Sequence, residues 1–309
     1  MARKLNWKRI AAGTLAAGLI LSLKGDSVHR PTPPTTSVAA RYSASTKDAP
    51  AKTEYLSNVD RQVHDKIAEI RELGWLTPED RTSVLVYGLQ SDTRFVRINI
   101  DTPRMSASLI KPFVMLAAYH RISNGHRAPA ELEDDIHKMI VKSDNDATNR
   151  VMDFVGGPQK TADAVHQYGF ANTSIVEKIP EGGKTYRNRT TARNLNALLW
   201  QLHNGKLISP AYSSRMMRHL DGYSTSRLKA LQSDFDLDMA GKTGFVSGLN
   251  GEAARISYKT AKGETKHYNF IVMIENTKMP GENGAAWGKR TSRAIRSIFK
   301  AVHKNMVKP

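Results

Sequence analysis

Ser108 and Lys111 are the first residues whose types and spacing could do chemistry. They open a run that continues into Pro112 and an apolar stretch. Proline is tolerated chiefly in the first turn of a helix, so Pro112 predicts a helix start a few residues upstream. Three residues apart on that helix, Lys111 can reach the Ser108 oxygen and act as the base that turns serine into a nucleophile. Ser106 is the alternative nucleophile, and the Ser-x-x-Lys pair alone also arises by chance.

Two further short motifs follow along the chain. Ser143-Asp144-Asn145 can present a hydroxyl for proton relay and an amide for substrate, or it can simply cap a helix. Lys242-Thr243-Gly244 lies in a strand-like run. There, glycine often marks the close approach of a ligand, and Lys and Thr can bind a carboxylate. The same trio can also be a plain sheet segment before a glycine-rich turn, so neither motif is decisive alone.

Apolar periodicity predicts the elements that must position these motifs. The order is a helix, two strands, a helix-rich middle, three strands and a last helix, which is not the alternation of a parallel doubly wound sheet. We therefore predict an α/β chain of the α+β type, with one antiparallel sheet built from both ends of the chain, flanked by helices, and an all-helical insertion. The predicted ranges are helix 58–74, strands 83–89 and 94–98, helical middle 106–231, strands 239–245, 253–258 and 269–275, and helix 285–306.

The N-terminal segment is typical of an export leader. Four Lys/Arg within the first nine residues precede an apolar run, residues 10–23, that is short for a bilayer span of roughly 20 apolar residues. We predict a signal peptide or retained N-terminal anchor at residues 1–24, a Pro/Ser/Thr-rich linker at 25–55 and the functional domain at 56–309. Export would place the protein in the periplasm or elsewhere in the cell envelope.

Composition limits the cofactors and partners. The 309 residues contain no cysteine, which excludes disulfides, zinc–thiolate sites and cysteine nucleophiles. The ten histidines show no metal-type pairing, so neither a metal nor another cofactor is expected. Residues 1–55 carry nine Lys/Arg against three Asp/Glu, so +11 of the net charge of +17 lies on the rest of the chain.

That basic body either binds an anionic envelope polymer or is a solvated surface. Export and the lack of a matching motif argue against a nucleic-acid partner, and a monomer is expected. The predicted last helix would offer such a polymer a row of basic side chains: Arg290, Arg293, Arg296, Lys300 and Lys304.

Taken together and in this order, the three motifs resemble the signature set of class A β-lactamases and penicillin-binding proteins. The resemblance covers about residues 58–305 and includes the Arg189-Thr190-Thr191 helix start. It implies a five-stranded antiparallel sheet covered by helices, with an all-α lobe and the active site between the two.

The resemblance also implies catalytic roles. Ser108 would attack an amide or lactam carbonyl and form an acyl-enzyme, with Lys111 as a candidate base. Ser143 would pass a proton to the leaving nitrogen. The backbone N–H groups of Ser108 and Phe245 would form the oxyanion hole, and loss of such a donor typically costs about 100- to 1,000-fold in rate.

Other motif residues are implied to bind the substrate. Asn145 would orient the substrate and the lysine, while Lys242 and Thr243, with Gly244 beside them, would hold the substrate carboxylate. Arg255, on a late strand, could help to bind that carboxylate or could form a surface salt bridge.

Two departures from the family pattern bear on turnover. The stretch from Lys111 to Ser143 is shorter than in class A enzymes, and no Glu-x-x-Leu-Asn motif supplies a base for deacylation. The place of that glutamate falls near Asn172; Glu177 and Glu181 are either substitutes or solvated carboxylates. The substrate is thus a β-lactam or a D-alanyl peptide of peptidoglycan, and the alternative function is a D,D-peptidase or a slow-turnover penicillin-binding sensor.

Overall fold

One sheet, assembled from both ends of the chain, supports the site. The computed structural model describes residues 50–278 and 284–307. Two long strands come early in the chain, β1 (Arg81–Gly88) and β2 (Thr93–Ile98). Three long strands come late: β5 (Asp238–Val246), β6 (Leu249–Lys259) and β7 (Thr265–Glu275). Between them, two short strands, β3 (Arg104–Met105) and β4 (Arg189–Thr190), pair with each other. The five long strands pair in the order β2–β1–β7–β6–β5, antiparallel throughout. The predicted five-stranded antiparallel sheet is confirmed.

Helices cover both faces of this sheet. The first and last helices, α1 (Pro50–Glu72) and α9 (Gly284–Met306), pack against each other on one face. Most of the helices between them lie on the other face: α2 Lys111–Ser123, α3 Leu132–His137, α4 Asn145–Val155, α5 Pro158–His166, α6 Ala192–His203 and α7 Pro210–Asp221. The short helix α8, Gln232–Phe235, packs with α9 on the first face. Within the described part of the chain, no helix is long and apolar enough to cross a membrane.

The two faces are separated by the alternation of side chains along each strand. On β1, Val84 and Val86 join the core formed with α1 and α9. Leu85 and Tyr87 join the other core, which contains the α2 residues and Leu109. Because Leu109 follows Ser108 directly, the segment that carries Ser108 is packed against the sheet on this second face.

The helix starts differ from the sequence prediction in two places. The first helix begins at Pro50 rather than at residue 58, so the predicted linker, residues 25–55, overlaps it at its last residues; proline is tolerated in a first helical turn. The predicted leader, residues 1–24, and most of the linker lie outside the described residues. Ser108 lies not in a helix but in a 3-10 turn, Ala107–Ile110, that runs into α2.

Candidate active site

The segment that carries Ser108 is held from both sides. Before it, the Met105 N–H donates to Oε1 of Glu275 at 2.8 Å, and the Ser106 N–H donates to the Asn188 carbonyl at 2.9 Å. Ala107 then takes a left-handed conformation, with φ of 43°, which turns the chain into the 3-10 turn. Ser108 is half-buried, whereas Ser106, the alternative nucleophile, is fully buried with its hydroxyl donating to the Asn188 carbonyl at 3.0 Å.

Lys111 begins α2 with its side chain fully buried. Its Nζ donates to two atoms of Ser143, the carbonyl oxygen and, at 3.3 Å, Oγ. It also donates to the Asp144 carbonyl at 3.2 Å and to Oδ1 of Asn145 at 2.9 Å. Burial, and then the positive charge of Lys242, lower the pKa of Lys111 to about 6. The amine is therefore largely neutral at pH 7, and a neutral amine can accept a proton.

Ser143 connects the three sequence motifs. It has φ of 58°, between a π-helical turn, Lys138–Lys142, and the start of α4. Its Oγ donates to Oγ of Ser108 at 3.0 Å and accepts from Nζ of Lys111 and, at 2.9 Å, from Nζ of Lys242. The hydrogen bonds of the described residues thus link Lys111 to Ser108 through Ser143.

The second motif also caps a helix. The Asp144 carboxylate accepts from the Ala147 N–H at 2.7 Å as the N-cap of α4. The sequence left relay and capping as alternatives, and the structure shows capping by Asp144 while its two neighbours contact Lys111. Because α4 is fixed at its first turn, Ser143 and Asn145 are held beside Lys111.

The third motif lies on β5, at the edge of the sheet nearest to Ser108. Lys242 is buried, and burial, followed by the charge of Arg227, lowers its pKa to about 7. A Cβ at Gly244 would lie 2.7 Å from the Ser106 carbonyl oxygen, so only glycine lets this strand approach the Ser108 segment so closely. Phe245 is the next residue on the strand, and its side chain is 45% exposed.

Arg227 is a site residue that sequence reasoning missed. Its Nε donates to Oδ1 of Asn250 at 3.0 Å, and its Nη2 donates to the Gly244 carbonyl at 3.5 Å. The hydroxyl of Thr225, two residues earlier, lies 2.6 Å from that of Thr243. The only sequence signal is an arginine in a polar loop, which does not distinguish it from surface arginines. By contrast, Arg255 pairs with Asp221 at 3.2 Å and forms a salt bridge, the second of its two predicted roles.

The buried carboxylate of Glu252 accepts hydrogen bonds from the loop that carries Arg227. Glu252, on β6, is fully buried, and burial raises its pKa. It accepts from the Tyr223 hydroxyl at 2.9 Å, the Ser226 hydroxyl at 2.7 Å and the Arg227 N–H at 2.9 Å. These bonds fix the loop beside the middle of β5, where Lys242 and Thr243 lie.

The two loop glutamates do not join this network. The Glu177 carboxylate accepts from the Thr185 hydroxyl at 2.9 Å and from the N–H groups of Tyr186 and Arg187, which closes its own loop. Glu181 and Asn172 are exposed. In the described part of the chain, no hydrogen bond joins any of these three predicted residues to Ser108, Lys111 or Ser143.

A different part of the loop that carries Glu177 lies beside the site. Asn149 on α4 holds the Ile179 backbone with two bonds of 2.8 Å, and Ile179 is buried. A Cβ at Gly183 would lie 2.8 Å from Nδ2 of Asn145. The segment from Ile179 to Gly183 therefore borders the site through Gly183, and its one carboxylate, Glu181, is exposed.

Comparison with known proteins agrees with this architecture. A family model described as the beta-lactamase enzyme family matches residues 127–305, more than half of the chain. The chain belongs to the beta-lactamase enzyme family. That match confirms the family suggested by the three motifs, and it makes the chain a relative of enzymes that hydrolyse lactams.

Solved structures of this family share the fold. A beta-lactamase from Xanthomonas campestris pv. campestris aligns with a TM-score of 0.65 and 17% identity, covering 80% of this chain and 98% of that one. One from Sphaerobacter thermophilus gives 0.64 and 20%, covering 81% and 98%. A mutant of PBP-A, solved as an acyl-enzyme complex with penicillin G, gives 0.63 and 20%, covering 80% and 97%. No curated protein matches the chain.

Proposed function

We propose that the chain is an active-site-serine acyl-transfer enzyme that forms an ester between Ser108 and a β-lactam or a D-alanyl peptide. The observation that carries this proposal is the position of Ser143 Oγ, which lies 3.0 Å from Ser108 Oγ and within hydrogen-bond distance of both buried lysines. A serine hydroxyl needs an adjacent base to attack a carbonyl, and a desolvated lysine can supply it.

The reaction would proceed by transfer of one proton across this network. Ser108 Oγ attacks the carbonyl carbon while its proton moves to neutral Lys111, through Ser143. The tetrahedral intermediate then breaks its C–N bond, and the leaving nitrogen takes a proton from Ser143, which is resupplied from the lysine. The N–H groups of Ser108 and Phe245 would stabilise the oxyanion.

The cationic edge of β5 would bind the substrate carboxylate. Lys242 and Thr243 lie there, and Arg227 reaches the carbonyl of Gly244. Asn145 would contact the substrate amide while it accepts from Lys111. Both β-lactams and D-alanyl peptides carry a carboxylate near the scissile amide, so this edge suits either substrate.

Deacylation would be slow. It needs a water held and deprotonated beside the ester, and such help is typically worth about 100- to 10,000-fold. Among the described residues, no carboxylate is hydrogen-bonded to Ser108, Lys111 or Ser143; in the adjacent loop Ile179 is buried, Glu181 is exposed and Glu177 is bonded within the loop. This favours a D,D-peptidase or slow-turnover penicillin-binding protein over a fast β-lactamase. The leader predicted at residues 1–24 is the basis for our proposal of export to the periplasm or cell envelope.

Labelling of the nucleophile tests the proposal. A fluorescent penicillin is expected to label the wild-type chain and Ser297→Ala, a control on α9, but not Ser108→Ala. Equal labelling of Ser108→Ala would refute the assignment, and Ser106→Ala would then be the next variant. Intact mass minutes after mixing is expected to show the acyl adduct. Rapid turnover with no detectable adduct would refute slow deacylation.

A further inference from the structure

A stripe of basic side chains runs along the outer face of α9. The helix carries no Asp or Glu, and five of its six Lys and Arg residues recur at intervals of three or four residues. At 3.6 residues per turn they lie within an arc of roughly 80°, along about 22 Å of helix. The members of this stripe are Lys289, Arg293, Arg296, Lys300 and Lys304.

These cations are available to a partner. Four of the five are exposed and Arg296 is half-buried, while the opposite face of α9 is buried against the sheet. Within residues 50–278 and 284–307, none of the five forms an ion pair, whereas Arg290, off the stripe, pairs with the buried Asp80 at 2.8 Å. Arg293 lies over the Trp75 ring, 4.7 Å from its centroid, which leaves its charge uncompensated.

The width of the stripe indicates the shape of the partner. Beside α9, the neighbouring helix α1 has no excess of cations. Over residues 58–72, Arg61, Lys66 and Arg71 are offset by Asp60, Asp65, Glu69 and Glu72, and Lys66 pairs with Glu69. A flat anionic bilayer would meet both helices but be attracted only by α9, whereas a linear chain can follow α9 alone. The stripe presents no exposed aromatic side chain on which nucleic-acid bases could stack. We propose that it binds a linear phosphate polyanion of the cell envelope.

The position of the stripe is compatible with catalysis. The stripe begins one residue after Gly288, where a Cβ would lie 2.7 Å from the Phe245 ring. It then runs along the face of the sheet opposite to the core that contains Leu109. A polymer bound there would contact the side of the enzyme opposite to the core that contains Leu109, and would leave the Ser108 side open.

Binding of labelled inorganic polyphosphate to the full chain, followed by fluorescence anisotropy, tests this inference. The variant Arg296→Gln/Lys300→Gln/Lys304→Gln is expected to bind about tenfold more weakly or worse at 0.1 M salt. Its slope of log K against log salt should be shallower by roughly 2, since each contact with a single-stranded polyanion contributes about 0.7. The control Lys160→Gln/Arg218→Gln/Lys262→Gln has the same net charge and should bind like the wild type.

Four outcomes would overturn the proposal. These are no binding by the wild type, equal loss in both triple variants, stronger stripe-dependent binding to single-stranded DNA with the same number of phosphates, or stripe-dependent binding to phosphatidylglycerol vesicles without binding to polyphosphate. Penicillin labelling of the same variants is measured in parallel and should be unchanged. A failure of the stripe is thereby distinguished from a failure of Ser108.

Discussion

The rate of acylation should follow a narrow bell-shaped dependence on pH, set by two buried lysines. Lys111 must be neutral to accept the proton of Ser108, and its pKa is about 6, so the rate should fall about tenfold for each pH unit below that value. Lys242 must be charged to bind the substrate carboxylate, and its pKa is about 7, so the rate should also fall above neutrality. Because the two groups interact, the two apparent pKa values belong to the pair.

Removing one lysine should change both limbs of this profile. In Lys242→Gln the alkaline limb should disappear, because the group that loses its charge is gone. The acid limb should move to higher pH, because the charge of Lys242 is the second cause, after burial, of the low pKa of Lys111. The direction follows from electrostatics, since removal of a nearby like charge makes protonation of Lys111 easier.

The assay is the rate constant for labelling by a fluorescent penicillin, measured from pH 4.5 to 9 in wild type, Lys242→Gln and the exposed control Lys262→Gln. The control should reproduce the wild-type profile. A rate that is independent of pH below 6 would refute Lys111 as the base. An acid limb that stays in place in Lys242→Gln would refute the coupling between the two lysines.

Three further outcomes are expected. Gly244→Ala would push a Cβ to 2.7 Å from the Ser106 carbonyl, so penicillin labelling should slow at least about tenfold while the chain still folds by circular dichroism; unchanged labelling would contradict the close approach. Glu177→Gln should leave the lifetime of the acyl adduct unchanged by intact mass, because this carboxylate is bonded within its own loop; a trapped adduct would instead make it the deacylating base. Asp80→Ala removes a buried acceptor of Trp287 and Arg290, so denaturant unfolding should show a loss of about 3–5 kcal/mol; a loss below 1 kcal/mol would contradict its role.

The sequence predicted the sheet well because each strand carries its own local signal. Short strand-like runs marked all five long strands to within four residues at each end, and the helix-rich middle between them implied that both ends of the chain build one sheet. The start of α1 was placed late because the helix continues through a polar segment that lacks apolar periodicity. Such a segment gives no sequence signal for a helix.

The three motifs were recognisable from residue type and local spacing alone, but their mutual geometry was not. The sequence suggested direct contact between Lys111 and Ser108, because residues three apart share a helical face. The structure places Ser108 in a 3-10 turn before that helix and routes the contact through Ser143, 35 residues from Ser108 in sequence. Only the packing of α2 against α4 decides such a bond.

What the sequence determined by itself is therefore the set of reactive groups and the elements that carry them. Tertiary structure alone decided which groups meet. It brought Lys242 to Ser143, 99 residues away, placed Arg227 rather than Arg255 beside Gly244 of β5, and bonded Glu177 within its own loop. The physical reason is that periodicity and caps act within a few residues, whereas burial, pKa and hydrogen-bond partners depend on neighbours that only chain packing supplies.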